Sequence, residues 1–406
     1  MNRFMHQTRP YLLGQRKSPF AWNACAMTAA TWSRSPPSST SGSSVLGSHR
    51  RLATHAAIPS SSSSLSALSP LSVPQLTAPD PSYATHRSHL RQVAAHLEEH
   101  GILKISLRFP DTSSAFLHQL LLGLHAHEGH QLPISHSAGR GWFWDVRPVD
   151  PASFSSSTSA PSSSSSDFSS ESLPTAYQSG SAHQARSETM GEFPWHTDCS
   201  YENPPPRYFA LQVLQHDRRG GGTLSVMDVR RLVSTGEHLS PAARAVLATP
   251  QFRMAIPPEF IKDPCRDSIV GSLLAIEPTA AATAETSRLL GGPGGSLPSP
   301  SSPPSADAES SPASHSVASK WMRTSMRFRG DIITPLTDEA AQALDELDAA
   351  LCRAGGQSRY TMHLSSHDMP TGTILLVDNR RWLHARNEVR DAQRHLRRVR
   401  WDAVAF

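Results

Sequence analysis

The chain has 406 residues and a formal net charge of +4, yet residues 1–79 hold no Asp or Glu and carry Arg3, Arg9, Arg16, Lys17, Arg34, Arg50 and Arg51. Removing those seven charges leaves about −3 on the remainder, so the basic balance belongs to an N-terminal arm, and no basic patch with interleaved aromatics argues for nucleic-acid binding. No apolar run approaches the roughly 18 residues that span a bilayer, and Cys25, Cys199, Cys265 and Cys352 form no CxxC pair, which leaves neither a disulfide framework nor a zinc knuckle.

Residues 1–79 are expected to be a disordered, Ser-rich arm. Its Arg, Ser and Ala content without acids matches a mitochondrial transit peptide, with RRLATHA at Arg50–Ala56 as a processing region, although Pro10 and Pro19 would interrupt an amphipathic helix. A low-complexity tail is the other reading, so the expected location is mitochondrial or cytoplasmic. From residue 80 onward, two stretches dense in Ser, Pro and Gly, at about 151–184 and 279–319, bury too little apolar surface to offset chain entropy and are expected to be disordered insertions. Without them the chain is one domain of about 250 residues, spread over 80–406.

In chain order, Leu90, Val93, Ala94 and Leu97 repeat at helical spacing in HRSHLRQVAAHLEEHG, with Gly101 as C-cap, and ILKISL follows as a strand. RYFALQVLQ reads as a strand, GGGT as a tight loop, and SPAARAVLAT as a helix with Ser240 as N-cap and Pro241 at its first position. TDEAAQALDELDAALCRAGG places Ala340, Leu344, Leu347 and Leu351 on one face of a helix; the strands RYTMHLS, GTILLVD and HLRRVRW follow. Short strands with Gly and Pro turns and flanking helices point to a mainly β, α+β fold built on a barrel or jelly roll.

Two segments carry the chemistry, FPWHTDCSYE and DNRRWLHARNEVRDAQRHLRR. On an extended strand, His196 and Asp198 face one side while Thr197 faces away, so both can reach one ion, and His384 supplies a third ligand from far along the chain. Two His and a carboxylate leave three positions open on an octahedral metal, the arrangement of non-heme Fe(II) enzymes. His96 and Glu98 repeat the spacing inside a helix, where residues two apart diverge by about 200° and cannot share a metal. His125, His127 and His130 beside Glu128 follow a helical LLLGL stretch and are read as solvated.

The stretch His196–Asp228, together with DNRRWLHAR and a trailing Arg, resembles the TauD/TfdA family of Fe(II)- and 2-oxoglutarate-dependent dioxygenases. The matching features are the HTD triplet, the GGxT turn 27 residues after the first His, the strand into DNR, and a His with an Arg 10 residues on. The resemblance implies a double-stranded β-helix (jelly-roll, cupin-like) core with flanking helices. It implies His196, Asp198 and His384 as catalytic iron ligands, Thr223 and Arg394 as holding 2-oxoglutarate, and Arg398 as a second arginine of that set. It further implies Fe(II) as cofactor, 2-oxoglutarate and dioxygen as cosubstrates, and a small-molecule substrate (organic acid, amino-acid derivative, acyl chain or secondary metabolite). A carboxylate at Asp198, where halogenating relatives have a small residue, favours hydroxylation.

The residues themselves are consistent with this, since Arg394, Leu396 and Arg398 share one face around HLRRVRW, and a dicarboxylate would satisfy two inward guanidiniums. A solvated basic edge strand with Arg390, Arg397 and Arg400 is the plain alternative. His395, Arg397 and Val399 are expected to face outward. Trp195, Tyr201 and Trp382 flank the ligands and suit either a substrate pocket or core packing, and Cys199 is expected to be inert. A zinc hydrolase could use the same triad but has no need of Thr223 or Arg394; an inactive dioxygenase fold acting as a binding protein is the third reading. Oligomeric state is not legible.

Overall fold

The computed structural model describes residues 70–135, 141–148, 185–278 and 322–406. These lie within one compact unit spanning 61–406. The expected arm up to residue 69 and the insertions at about 151–184 and 279–319 lie outside the described residues.

The strands are β1 (Gln75–Ala78), β2 (Ile102–Leu107), β3 (Trp144–Val146), β4 (Phe193–His196), β5 (Pro206–Gln215), β6 (Leu224–Asp228), β7 (Phe252–Ala255) and β8 (Ser268–Gly271). They continue as β9 (Leu274–Pro278), β10 (Met322–Met326), β11 (Ile333–Pro335), β12 (Thr361–Leu364), β13 (Thr373–Asp378), β14 (Trp382–Arg386) and β15 (His395–Ala403). The helices are α1 (Arg87–His100), α2 (Ala115–Glu128), α3 (Val229–Ser234), α4 (Pro241–Leu247) and α5 (Asp338–Gly355). A six-stranded sheet in the order β1-β2-β13-β5-β15-β3 and a four-stranded sheet in the order β12-β6-β14-β4 form the core; β11-β7-β8 and β10-β9 are smaller sheets. Only the β1–β2 pair within the core sheets is parallel.

Alternation along the strands explains the layering. On β5, Phe209, Leu211 and Val213 meet Leu224 and Val226 of β6 and Trp382 of β14 between the two sheets. The alternate residues Tyr208 and Ala210 face the other way, against Leu90, Val93 and Leu97 of α1 and Phe116, Leu117 and Leu120 of α2. The four-stranded sheet does the same with Met227 and Leu383, which pack under α3, α4 and α5. A sheet covered on both faces needs apolar residues at successive positions, which is why RYFALQVLQ and GTILLVD read as nearly continuous apolar runs. The result is a mostly β jelly roll with helices on its flanks, as the sequence led us to expect.

Local signals set the helix ends. Gly101 ends α1 at φ 69° and its N–H donates to the Leu97 carbonyl; a Cβ there would lie 3.0 Å from the Trp382 indole nitrogen. Ser240 caps α4 by accepting from Ala243 N–H, and Thr337 caps α5 by accepting from Ala340 N–H. Such caps are worth about 1 kcal/mol each.

Three expectations need correction. The fold begins before residue 80, because Gln75–Ala78 pairs with Lys104–Leu107 as an edge strand. Val399 does face away from the barrel, but it is fully buried under the α1–α2 layer, not solvated. The segment WLHAR is itself a strand, β14, whose five residues are all buried. Among the described residues no helix is long and apolar enough to cross a membrane.

Candidate metal centre

Strand β14 lies between β6 and β4, and its register puts His384 directly opposite His196 on one side and Val226 on the other. Directly opposed residues on neighbouring antiparallel strands bring their side chains close, and the two imidazole centroids are 4.1 Å apart. Trp382, His384 and Arg386 share the inward face, which is how period-two alternation delivers one histidine from residue 384 to another at 196.

Asp198 arrives differently from the sequence expectation. β4 ends at His196, and Asp198 stands in the turn that follows. Asn379 holds that turn: its Oδ1 accepts from Asp198 N–H at 2.7 Å, and its Nδ2 donates to the Asp198 and Pro206 carbonyls at 2.9 and 3.0 Å. Thr197 turns away as expected, exchanging hydrogen bonds with the Phe328 main chain. The role of Asn379 escaped sequence reasoning, although its place in DNR beside the metal segment was the available signal.

One ligand atom from each of His196, Asp198 and His384 lies within 4.8 Å of the others, and all three residues are buried. His196 Nε2 and His384 Nε2 stand 3.9 and 3.7 Å from Asp198 Oδ1. His196 Nδ1 is 2.8 Å from the Pro194 carbonyl, so it carries the proton and leaves Nε2 with a lone pair facing Asp198. Burial, and next the neighbouring His384, push His196 well below the ordinary histidine range, favouring the neutral imidazole that ligates metals. Burial alone would raise Asp198, but Arg398 and the two histidines hold its carboxyl well below the usual range. Asp198 Oδ2 and His384 Nδ1 are buried with no hydrogen-bond partner among the described residues. Two imidazoles and one ionised carboxylate on a common centre fit a divalent first-row metal of the Fe(II) type.

The two inward arginines occupy different places. Arg398 Nη1 donates to Asp198 Oδ1 at 3.1 Å and lines a cavity with Phe193, His196, Asp198, Tyr201 and Phe260. Arg394 lies just before β15 and lines a second cavity with Gly222, Leu211, Leu224 and Leu396. It is 5% exposed and forms no ion pair among the described residues; burial, then Arg386, pushes its guanidinium down to about 10. Thr223 sits at this second cavity's turn, its N–H donating to Asn387 Oδ1 at 2.7 Å and its carbonyl accepting from Asn387 N–H at 3.2 Å. Arg400, named from the sequence only under the alternative of a basic edge strand, also faces inward and is 1% exposed; the same two-residue alternation from Arg398 marked it.

Of the three flanking aromatics, Tyr201 lines the triad cavity, stacked on Phe260 with centroids 5.5 Å apart. Trp195 packs against the core beneath α5. Trp382 fills space between the sheets and donates to the His100 carbonyl. Cys199 is buried in the turn at φ 54°. His96 and Glu98 lie within α1, where Glu98 pairs with Arg207 and Arg323 instead of a metal. His125 and His127 are exposed on α2, and His130 stands beside Tyr208 and Trp401.

Residues 312–400 match the family model described as taurine catabolism dioxygenase TauD, TfdA family. Solved structures similar to this chain include an asparagine oxygenase in complex with Fe(II), 2S,3S-3-hydroxyasparagine and succinate. It is 16% identical, with a TM-score of 0.49, covering 80% of this chain and 92% of that one. The non-heme iron oxygenase OrfP in complex with Fe is 14% identical, with a TM-score of 0.46, covering 81% of this chain and 94% of its own. No curated protein matches the sequence.

Proposed function

We propose, from the premise that residues 312–400 carry the TauD/TfdA family segment, that this chain is an Fe(II)- and 2-oxoglutarate-dependent dioxygenase that hydroxylates an unactivated C–H bond of a small molecule. The observation that carries the reading is the buried convergence of His196, Asp198 and His384 on one point. A second cavity, lined by the buried Arg394, supports it.

When bound, Fe(II) and 2-oxoglutarate supply an oxidant: the cosubstrate and dioxygen become succinate and carbon dioxide as one oxygen atom enters the substrate C–H bond. The chain supplies position, charge and dryness. His196 and His384 present imidazole nitrogens, each fixed by its strand, and Asp198 presents a carboxylate whose main chain is clasped by Asn379. Arg398, bonded to Asp198 Oδ1, offsets negative charge inside the buried site. Arg394 anchors the distal carboxylate of 2-oxoglutarate through paired charge-assisted hydrogen bonds, and the Thr223 hydroxyl helps to fix the same cosubstrate. Phe193, Tyr201 and Phe260 wall the triad cavity and form the substrate side, where they exclude water.

The same reading treats 75–406, less the stretches at about 151–184 and 279–319, as one dioxygenase domain, and the arm before it as a mitochondrial transit peptide or the low-complexity tail of a cytoplasmic protein. Purified chain supplied with Fe(II), 2-oxoglutarate and dioxygen is expected to form succinate, faster with the right member of a panel of organic acids, amino-acid derivatives, acyl chains and secondary metabolites. Hydrolytic turnover sustained by Zn(II), without succinate, would overturn the reading in favour of a hydrolase.

A further inference from the structure

The Arg394 cavity is built from two loops joined by two buried carboxylates, Asp391, which accepts from Arg218, and Asp217. Asp217 is 3% exposed and stands at the start of the turn that runs through Gly221 and Gly222 to Thr223. Its Oδ1 accepts from Arg219 N–H at 2.8 Å within its own turn. Its Oδ2 reaches across to the facing loop and accepts from Arg390 N–H at 2.8 Å and Asp391 N–H at 3.2 Å. Asp391 in turn accepts from Arg394 N–H at 2.9 Å through its carbonyl. A continuous line of hydrogen bonds therefore runs from the Asp217 carboxylate to the main chain of Arg394.

The glycines allow the two loops to close. A Cβ on Gly221 would lie 2.6 Å from Arg390 N and 2.7 Å from Asp217 Oδ2, and one on Gly222 would lie 2.7 Å from Arg394 Nε. The Arg394 guanidinium thus rests on the bare face of Gly222, and Gly222 N–H is tied to the Glu388 carbonyl at 2.8 Å. Asp217 and Arg394 line the same cavity without an ion pair between them among the described residues; the carboxylate attracts the guanidinium through space and is tied to its main chain through Arg390 and Asp391. Main-chain amides donating to a buried carboxylate are strong, geometrically fixed contacts, and a misplacement of about 1 Å in a binding group can cost on the order of a hundredfold.

We propose that Asp217 is a positioning residue for the cosubstrate: by clasping Arg390 and Asp391 it sets where the Arg394 guanidinium meets the distal carboxylate of a 2-oxo dicarboxylic acid. This rests on the assignment of 2-oxoglutarate to the Arg394 cavity. Asp217→Asn keeps the shape of the side chain but turns an amide NH2 toward main-chain N–H donors, which breaks one half of the clasp.

The test measures dissociation constants in full-length, Co(II)-loaded protein for 2-oxoglutarate and for 2-oxobutyrate, which shares the 2-oxo acid end but lacks the distal carboxylate. Wild type is expected to prefer 2-oxoglutarate. Asp217→Asn is expected to weaken 2-oxoglutarate about tenfold and to leave 2-oxobutyrate within about twofold, so the preference collapses. Co(II) affinity stays unchanged. Gly222→Ala presses on the same guanidinium from the other side and is expected to reduce the same preference, which keeps the idea testable if Asp217→Asn does not fold. Equal loss for both acids, or tighter 2-oxoglutarate binding from removal of a nearby negative charge, would overturn the role of Asp217. A wild type with no preference for 2-oxoglutarate would overturn the cavity assignment itself, and the positioning role with it.

Discussion

Asn379 offers the sharpest test of how the fold prepares the metal centre. Replacing it with alanine removes three hydrogen bonds, at 2.7, 2.9 and 3.0 Å, from a side chain that is 2% exposed. Each is worth about 1 kcal/mol net, and stranding buried main-chain partners adds to the loss, so the expected destabilisation is about 3 kcal/mol. For a domain of this size that lowers Tm by roughly 6–12 °C. The larger consequence is local. Two of the three bonds hold the peptide groups of Asp198 itself, so its carboxylate loses its fixed approach to His196 and His384, and metal affinity is expected to fall about 10- to 100-fold, as for other groups that orient ligands. Titration of Asn379→Ala with Co(II), below its unfolding transition, reads this directly. A lowered Tm with wild-type Co(II) affinity would refute the reasoning, because it would make Asn379 a packing residue and no more.

Other perturbations separate the parts of the account. His196→Ala or Asp198→Ala is expected to abolish succinate formation, whereas His96→Ala, which alters a residue within α1, leaves it intact; loss of turnover in the third variant would contradict the triad assignment. Arg394→Ala is expected to raise the KM for 2-oxoglutarate by at least about tenfold with a smaller change in kcat, as for lost binding made in both ground and transition states, and an unchanged KM would show that another cation anchors the cosubstrate. Asp348, partly buried on α5, is pushed up to about 6 by burial and by Asp345. Its folded pKa lies above the unfolded one, so its contribution to stability is full at low pH and is lost as pH rises through about 4 to 6. Asp348→Asn is therefore expected to raise Tm at neutral pH but not below pH 4, and an equal gain at both would refute the titration argument.

Much of the fold could be read from local signals. The caps at Gly101, Ser240 and Thr337 and the apolar repeats of α1 and α5 are short-range features, and the structure bears them out. Strand pairing is long-range, and the sequence carried less of it. On the inward face of β14, His384 meets the triad and Arg386 donates to the Ser187 and Thr189 carbonyls, so WLHAR lacks the apolar run that marks GTILLVD. The triad was legible through its spacing, but the reason offered for Asp198 was incomplete: a turn pinned by Asn379, 181 residues away, places it, and no strand does. Arg394 and Arg398 are both buried, but Arg394 stands before β15 and a register shift falls between His395 and Leu396, so strand alternation does not link them, and they line separate cavities. Side-chain direction follows from local periodicity; which cavity it reaches depends on partners that only the folded chain brings near.

The central claim is that this buried triad uses dioxygen to oxidise 2-oxoglutarate. Single turnover of Fe(II)-loaded protein with 2-oxoglutarate under 18O2, followed by mass analysis of the succinate, measures it without knowledge of the substrate. The account predicts succinate carrying one heavy oxygen atom, and none formed by His384→Ala. Unlabelled succinate, or no succinate from protein that binds Fe(II), would contradict it.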